Sequence, residues 1–223
     1  MPPLRTLLID LDGTLVDAFT TIHRAYCHTL PQFGRPAPTL AQVRRAVGGG
    51  IKDAMGHFLP AELIPAAIEI HLAYTKQILL EDVQLMPGGL ALLQDLHARG
   101  VTLAVYTNKH GDYSRRICAH LGVTPLLAGI YGAGDTPWLK PQAEFAAHVL
   151  GKLKAGPATT LMVGDSPFDV QAAHNGGFPC WAVTTGTHDA AQLAAANADR
   201  VFPDLPALHN VLLAGKIEFR ALD

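Results

Sequence analysis

The sequence predicts an α/β fold in which a mostly parallel sheet is covered by helices and interrupted near its start by a helical insertion. From Gly88 onward, short apolar runs typical of strands alternate with stretches of helical spacing, and this alternation favours right-handed βαβ units. Before that part, residues 18–80 carry helical spacing with little clustering of β-branched residues. At 223 residues, 49% of them hydrophobic, the chain is long enough for one domain with a large insertion or for two small domains.

The first predicted strand is the apolar run that starts at Thr6 and leads into Asp10 and Asp12. Its continuous apolar character is typical of a strand buried on both faces. Prolines and triple glycine then divide the insertion into four predicted helices, at about residues 18–33, 40–47, 51–58 and 62–80. We therefore predict a core formed by residues 1–16 and 86–223, and an insertion formed by residues 17–85.

The remaining elements follow from the same patterns, with Gly100 and Gly122 placed to end helices. Further strands are predicted at about residues 101–106, 126–131, 160–165, 180–184 and 200–202. Further helices are predicted at about residues 88–99, 112–121, 142–153, 167–175 and 205–214.

Composition argues against several classes of function. The formal net charge is −2 and the lysines and arginines form no cluster, so no nucleic-acid partner is expected. No apolar run approaches 18 residues and the N-terminal residues lack the layout of a signal peptide, so we expect a cytoplasmic protein without a membrane span. Cys27, Cys118 and Cys180 have no metal-ligand spacing, which suits a reducing compartment.

Polar side chains follow three of the predicted strands. Asp10 and Asp12 follow the first strand, and Thr107 follows the second. Asn108, Lys140, Asp165 and Asp169 complete the set. In parallel sheets the ligand crevice lies at the carboxyl ends of the strands, so we expect these side chains to converge there.

Several carboxylates in one crevice require a cation, and an all-oxygen ligand set favours Mg²⁺ over zinc. With Lys140 and Thr107 beside it, such a site predicts a receptor for a phosphoryl group. Simpler interpretations exist for single residues. Asp12-Gly13 is a common turn pair, Ser166-Pro167-Phe168-Asp169 is also a helix-start capping pattern, and a single lysine before proline is commonly a surface residue.

In their order along the chain, these motifs resemble those of the haloacid dehalogenase (HAD) superfamily. The D-x-D-G-T-x-x-D stretch from Asp10 resembles the first motif of that superfamily, and Thr107-Asn108 resembles the second. Lys140-Pro141 resembles the third motif, and G-D-S-x-x-D from Gly164 resembles the fourth. The resemblance covers essentially the whole chain. It implies a Rossmann-like core and a C1-type helical cap at the insertion.

The resemblance also implies roles for individual residues. Asp10 would be the nucleophile that forms an aspartyl-phosphate, and Asp12 would act as general acid and then as general base. Mg²⁺ would be held by Asp10, Asp165 and the backbone carbonyl of Asp12, with Asp169 in or next to the coordination shell. Thr107 and Lys140 would hold the phosphoryl oxygens. Gly13, Thr14 and Asn108 are the further core residues expected to border the substrate.

The acidic residue at position 12 makes this sequence resemble the phosphatases of the superfamily. The dehalogenases of the superfamily carry a non-acidic residue at that position and use no Mg²⁺. The stretch around Gly48-Gly49-Gly50 is similar to the V-G-x-G stretch in the caps of phosphoglycolate phosphatases. We therefore expect Arg45, Gly49 and Lys52 to contact a small anionic substrate, although the same glycines also suit an ordinary helix–helix loop.

The leading prediction is a Mg²⁺-dependent phosphatase acting on a small phosphomonoester, with 2-phosphoglycolate as the first candidate. Sugar phosphates, nucleotides and pyrophosphate are alternative substrates on the same core. A β-phosphoglucomutase-like activity is a further alternative, although Ile22 takes the place of a cap histidine found in mutases. A phospho-receiver or binding module without turnover is the non-enzymatic alternative. The expected partner is a small phosphorylated molecule, and the protein is expected to be a monomer or a homodimer.

Overall fold

In the computed structural model, which describes residues 4–214, six parallel strands form the central sheet. The strands in chain order are β1 (Thr6–Ile9), β4 (Thr102–His110), β5 (Gly129–Ala133), β6 (Thr160–Gly164), β7 (Cys180–Val183) and β8 (Arg200–Phe202). Their spatial order is β5-β4-β1-β6-β7-β8, and every neighbouring pair is parallel. The first strand therefore lies inside the sheet, between β4 and β6.

Alternate residues of the central strands face opposite layers of the core. Leu7 and Ile9 of β1 belong to the cluster packed against α5 (Gly89–Ala98), α6 (Gly111–His120) and α10 (Leu205–Leu213). Leu8 belongs to the cluster packed against α7 (Ala143–Leu153) and α8 (Pro167–Asn175) on the other face. The continuous apolar run at the start of the chain thus reflects a strand buried on both faces.

The insertion consists of four helices with an apolar cluster of their own. They are α1 (Phe19–Thr29), α2 (Leu40–Ala46), α3 (Ile51–Gly56) and α4 (Ile64–Ile78). Tyr26, Val43 and Met55 are central members of this cluster and are almost completely buried. Two short strands, β2 (Val16–Asp17) and β3 (Gln84–Leu85), pair antiparallel where the chain leaves and re-enters the core.

Several bounds differ from those expected from the sequence. The first insertion helix ends at Thr29 and continues as a 3-10 turn over Leu30–Phe33, because Pro31 cannot donate a hydrogen bond to the preceding turn. The strand β4 extends to His110 through a register shift after Tyr106, so Thr107 and Asn108 lie within it rather than after it.

One further strand differs in its bounds, and three short elements were not expected from the sequence. The strand β5 begins only at Gly129, because a 3-10 turn with Pro125 occupies Thr124–Leu126. The short strands β2 and β3 and the helix α9 (Ala190–Ala195) are too brief to show a periodic pattern. The predicted division into a core and an insertion stays a prediction, and its residues 1–3 and 215–223 lie outside the described part of the chain.

Candidate active site

The predicted polar residues converge at the carboxyl end of the sheet around β1. Asp10 directly follows β1, and its backbone N–H donates to the carbonyl of Val163 in β6 at 2.9 Å. Thr107 and Asn108 lie in β4 on one side, and Asp165 follows β6 on the other. Because β1 lies between β4 and β6, the sheet order brings these distant parts of the sequence together.

Three carboxylates form a buried acidic cluster. One oxygen each of Asp10, Asp165 and Asp169 lies within 4.8 Å of the others, and all three residues are buried. These donors are hard oxygen ligands of the type that Mg²⁺ and Ca²⁺ prefer. Among residues 4–214, this cluster is the group of His, Cys, Asp and Glu side chains placed to hold a metal ion.

Lys140 is the cation within this cluster. Its Nζ donates to Asp10 Oδ1 at 2.7 Å and to Asp169 Oδ1 at 2.5 Å. Asn108 holds the backbone of Lys140, since its Oδ1 accepts from Lys140 N at 2.8 Å and its Nδ2 donates to Lys140 O at 3.0 Å. The same Nδ2 donates to the carbonyl of Gly48 in the insertion at 3.0 Å. Asn108 therefore connects the backbone of Lys140 to the insertion.

Asp165 is fixed by hydrogen bonds to both of its carboxylate oxygens. Thr14 Oγ1 donates to Oδ1 at 2.9 Å, while the N–H and Oγ1 of Thr187 donate to Oδ2 at 2.8 and 2.9 Å. Gly13 has a φ of +89°, and a Cβ there would lie 2.8 Å from Asp165 Oδ2 and from the Cα of Gly186. Glycine is thus required at position 13 both by the backbone conformation and by the close approach of Asp165.

Asp169 combines the two roles that the sequence left as alternatives. Its Oδ1 accepts from Lys140, and its Oδ2 accepts from the N–H groups of Asp165 and Ser166 at 3.1 and 3.0 Å and from Ser166 Oγ at 2.7 Å. It is therefore part of the capping box of α8 and part of the acidic cluster at once.

A cavity of about 140 Å³ opens from the acidic cluster towards the insertion. Asp10, Asp12 and Thr107 border it from the core. Ile22, Tyr26, Gly48, His71 and Thr75 are among the residues that border it from the insertion. The helical insertion therefore covers the carboxylates at the end of β1.

The comparisons with known proteins agree with this geometry. The model of the haloacid dehalogenase-like hydrolase family matches residues 7–183, which is most of the chain. The chain belongs to this family. A phosphoglycolate phosphatase from Yersinia pestis is 32% identical over 216 residues, covering 92% of this chain and 93% of the relative. A probable phosphatase, IndB, from Dickeya dadantii is 33% identical over 205 residues, covering 88% of this chain and 87% of the relative.

Solved structures show the same fold. A haloacid dehalogenase-like hydrolase from Streptococcus pneumoniae matches with a TM-score of 0.84 at 26% identity, covering 95% of this chain and 97% of that chain. A structure described as a predicted phosphoglycolate phosphatase from Haemophilus somnus matches with a TM-score of 0.86 at 24% identity, covering 95% and 99%. The predictions of the family, of the α/β fold and of a phosphatase-type hydrolase are confirmed. No helix within residues 4–214 is long and apolar enough to cross a membrane.

The electrostatics of the haloacid dehalogenase-like site are those of a cluster that needs a further cation. Burial raises the pKa of Asp165 to about 8 and the pKa of Asp10 to about 6, with the neighbouring carboxylates adding to the effect. Burial opposes the charge of Lys140, but Asp10 and Asp169 outweigh it and raise the pKa of the lysine. Lys140 contacts two of the three carboxylates, Asp10 and Asp169, so a divalent cation would allow Asp165 and Asp10 to ionise fully. The residues therefore fit a metal ion.

The predicted site residues fall into three groups. The first group borders the cavity and comprises Asp10, Asp12, Thr107, Asn108 and Asp165, while Lys140 joins Asp10 to Asp169 through hydrogen bonds. Gly13 and Thr14 lie behind Asp165 rather than at the cavity. Arg45 and Lys52 are exposed, and Gly49 and Lys52 border a separate hollow on the insertion. Contact between the substrate and these last three residues stays a prediction.

Two residues of the site were missed from the sequence. Lys109 Nζ donates to both oxygens of Asp12, at 3.0 and 2.9 Å, and both side chains are about nine-tenths buried. Thr187 supplies two hydrogen bonds to Asp165. The available signals were that Lys109 directly follows Thr107-Asn108 and that Thr187 lies in the polar stretch after β7.

Proposed function

We propose that this protein is a Mg²⁺-dependent phosphatase that hydrolyses a small phosphomonoester, with 2-phosphoglycolate as the leading candidate. The observation that carries the proposal is the position of Asp10. Its carboxylate contacts Lys140, belongs to the acidic cluster and borders the cavity beneath the insertion together with Asp12. The phosphoglycolate phosphatases among the relatives support the choice of substrate.

In the proposed site, Asp10, Asp165 and the backbone carbonyl of Asp12 would hold Mg²⁺. The ion would supply positive charge that lets a phosphoryl group approach two carboxylates and that stabilises charge on its oxygens. Thr14 and Thr187 orient Asp165 for this purpose. Asp169 would lie in or next to the coordination shell, and its Oδ1 also positions Lys140.

The proposed reaction proceeds in two displacements at phosphorus. An oxygen of Asp10 attacks phosphorus while the ester P–O bond breaks, and Asp12 donates a proton to the departing oxygen. Asp12 then accepts a proton from water as that water attacks phosphorus, which releases inorganic phosphate and regenerates Asp10. Lys140 and Thr107 stabilise the phosphoryl oxygens during both steps.

The salt bridge between Lys109 and Asp12 has a consequence for this cycle. With Lys109 Nζ close to both oxygens of Asp12, the general acid is paired before substrate binds. Proton donation by Asp12 therefore requires that this pairing loosen when substrate occupies the cavity. We propose that the insertion, residues 17–85, acts as a cap that encloses the cavity during this step.

Two of the alternative activities, the phosphomutase and the phospho-receiver module, are less well supported than the phosphatase. Ile22 borders the cavity, so the place of the mutase histidine is taken by a side chain that cannot transfer a proton. A phospho-receiver module would have little use for Asp12, a second carboxylate beside the nucleophile. A cytoplasmic location and a monomeric or homodimeric state remain predictions.

A substrate panel tests the proposal. With Mg²⁺ present, 2-phosphoglycolate, sugar phosphates, nucleotides, pyrophosphate and p-nitrophenyl phosphate would be assayed side by side. We expect hydrolysis that favours 2-phosphoglycolate, requires Mg²⁺ and is abolished in Asp10→Asn. Activity that survives in Asp10→Asn would contradict the assignment of the nucleophile. A stable phosphoprotein without phosphate release would support the receiver alternative instead.

A further inference from the structure

Two buried polar side chains of α4 have no role in the reaction described so far. His71 and Thr75 lie one helical turn apart and therefore on the same face of α4. They are only 6% and 7% exposed. His71 Nδ1 and Thr75 Oγ1 have no hydrogen-bond partner among residues 4–214. Buried polar atoms normally have hydrogen-bond partners, so these two atoms on one face of α4 are candidates for binding a ligand.

Both side chains border the same cavity as Asp10 and Asp12. Much of the insertion side of this cavity is apolar, with Ile22 and Leu72 among the bordering residues. The ring of Tyr26 lies 4.7 Å from the imidazole of His71 between centroids and helps to fix its orientation. His71 and Thr75 are therefore polar groups on the largely apolar insertion side of a cavity that Asp10 borders from the core.

The surroundings of His71 favour an anionic ligand. Burial, with smaller contributions from the positive charges of Lys109 and His28, lowers the pKa of His71 to about 3. The imidazole is thus neutral near pH 7 and offers an N–H donor in the tautomer protonated at Nδ1. Lys109 also borders the cavity, and its Nζ is hydrogen-bonded to Asp12.

The cavity has room for a short ligand. Its volume of about 140 Å³ is on the order of ten times the roughly 10–15 Å³ that one water molecule needs on the same measure. This space accommodates the methylene group and the carboxylate of a short leaving group such as glycolate.

We propose that His71 and Thr75 form a leaving-group subsite that binds the carboxylate of a short carboxyalkyl phosphate. Nδ1–H of His71 and Oγ1–H of Thr75 donate one hydrogen bond each to that carboxylate, while the phosphoryl group faces Asp10. The assignment rests on the proposed phosphatase function and adds the groups that select its substrate. It places specificity on α4 rather than on Arg45, Gly49 and Lys52.

Thr75→Val is the sharpest test, because it removes the hydroxyl and keeps the shape of the side chain. The quantity to measure is the ratio of kcat/KM for 2-phosphoglycolate to kcat/KM for ethyl phosphate, which lacks the carboxylate. We expect this ratio to fall about tenfold, the factor for one hydrogen bond to a charged group. His71→Phe should lower it similarly, and His71→Asn, which restores a donor near Nδ1, should recover part of it.

Thr20→Val provides the matched control, because Thr20 lies on the exposed surface of α1. It should leave the ratio as in the wild type. Thermal unfolding checks the fold: Thr75→Val should unfold at a temperature no lower than the wild type, since the lost hydroxyl has no partner. Glycolate binding, measured by calorimetry, gives a second readout and should weaken about tenfold in Thr75→Val.

The outcomes separate the subsite from the phosphatase function. If the wild type hydrolyses phosphomonoesters but the ratio is the same in the wild type, Thr75→Val and His71→Phe, the subsite is wrong and the phosphatase stands. A wild type that prefers ethyl phosphate likewise overturns the subsite. If no phosphomonoester is hydrolysed, the proposed function fails. Glycolate binding then decides the subsite alone, and equal affinity in the wild type and Thr75→Val overturns it.

Discussion

Replacing Lys140 by methionine should strongly destabilise the metal-free protein. Lys140 is 3% exposed and donates to Asp10 at 2.7 Å and to Asp169 at 2.5 Å. Methionine fills a similar volume but leaves both carboxylates without their cation. Removing one partner of a buried ion pair typically costs about 3–5 kcal/mol, so we expect a loss of about that size in the free energy of unfolding.

Urea unfolding in the presence of a chelator, followed by tryptophan fluorescence, measures this loss. Lys52→Met is the matched control, because Lys52 is exposed and surface substitutions usually change stability by less than about 0.5 kcal/mol. Without the lysine, the pKa of Asp10 should rise further, so the folded variant binds more protons than the unfolded chain. The difference in the free energy of unfolding between the wild type and Lys140→Met should therefore become smaller as the pH falls. A variant within about 1 kcal/mol of the wild type at pH 7 would refute the reasoning.

Three further predictions concern the metal and the histidine. Because burial raises the pKa of Asp165 to about 8, Mg²⁺ affinity by calorimetry should fall up to tenfold per pH unit below that value; a pH-independent affinity would argue against ligation by Asp165. Thr14→Val removes a hydrogen bond to Asp165 and should weaken Mg²⁺ about tenfold; unchanged affinity would show that Thr14 does not orient the carboxylate. The pKa of His71 is lowered to about 3 from 6.5, so only the unfolded state takes up this proton as the pH falls. At about pH 5 the wild type should therefore lose about 2 kcal/mol more of its pH 7 stability than His71→Phe; equal losses in urea unfolding would contradict a buried neutral imidazole.

The fold and the carboxylates were predictable because each left a local signal in the sequence. The run from Thr6 to Ile9 is apolar on both faces of the sheet, and this pattern of a doubly covered parallel strand located β1. Asp10 and Asp165 follow β1 and β6 directly, so the rule for parallel sheets placed them together. For these residues, the local sequence pattern and the parallel sheet topology predict the same positions.

Lys109 and the proposed subsite residues His71 and Thr75 were not predictable in this way. The partner of Lys109 lies 97 residues away, and its pairing with Asp12 depends on the sheet order. His71 and Thr75 lie inside a helix whose periodic pattern resembles that of any packed helix. Their unpaired atoms become visible only when the packing of α4 over the cavity is known. Arg45 and Lys52 were predicted to contact substrate because of their positive charge, although both are exposed on the surface.

The central claim is that Asp10 becomes covalently phosphorylated during turnover. Acid quenching during turnover of p-nitrophenyl phosphate with Mg²⁺, followed by hydroxylamine and mass analysis of the peptides, tests it directly, because hydroxylamine converts an acyl phosphate into a hydroxamate. The account predicts a hydroxamate at Asp10 in the wild type, a larger fraction in Asp12→Asn and none in Asp10→Asn. An active enzyme that carries the hydroxamate at another residue, or at none in both the wild type and Asp12→Asn, would contradict it.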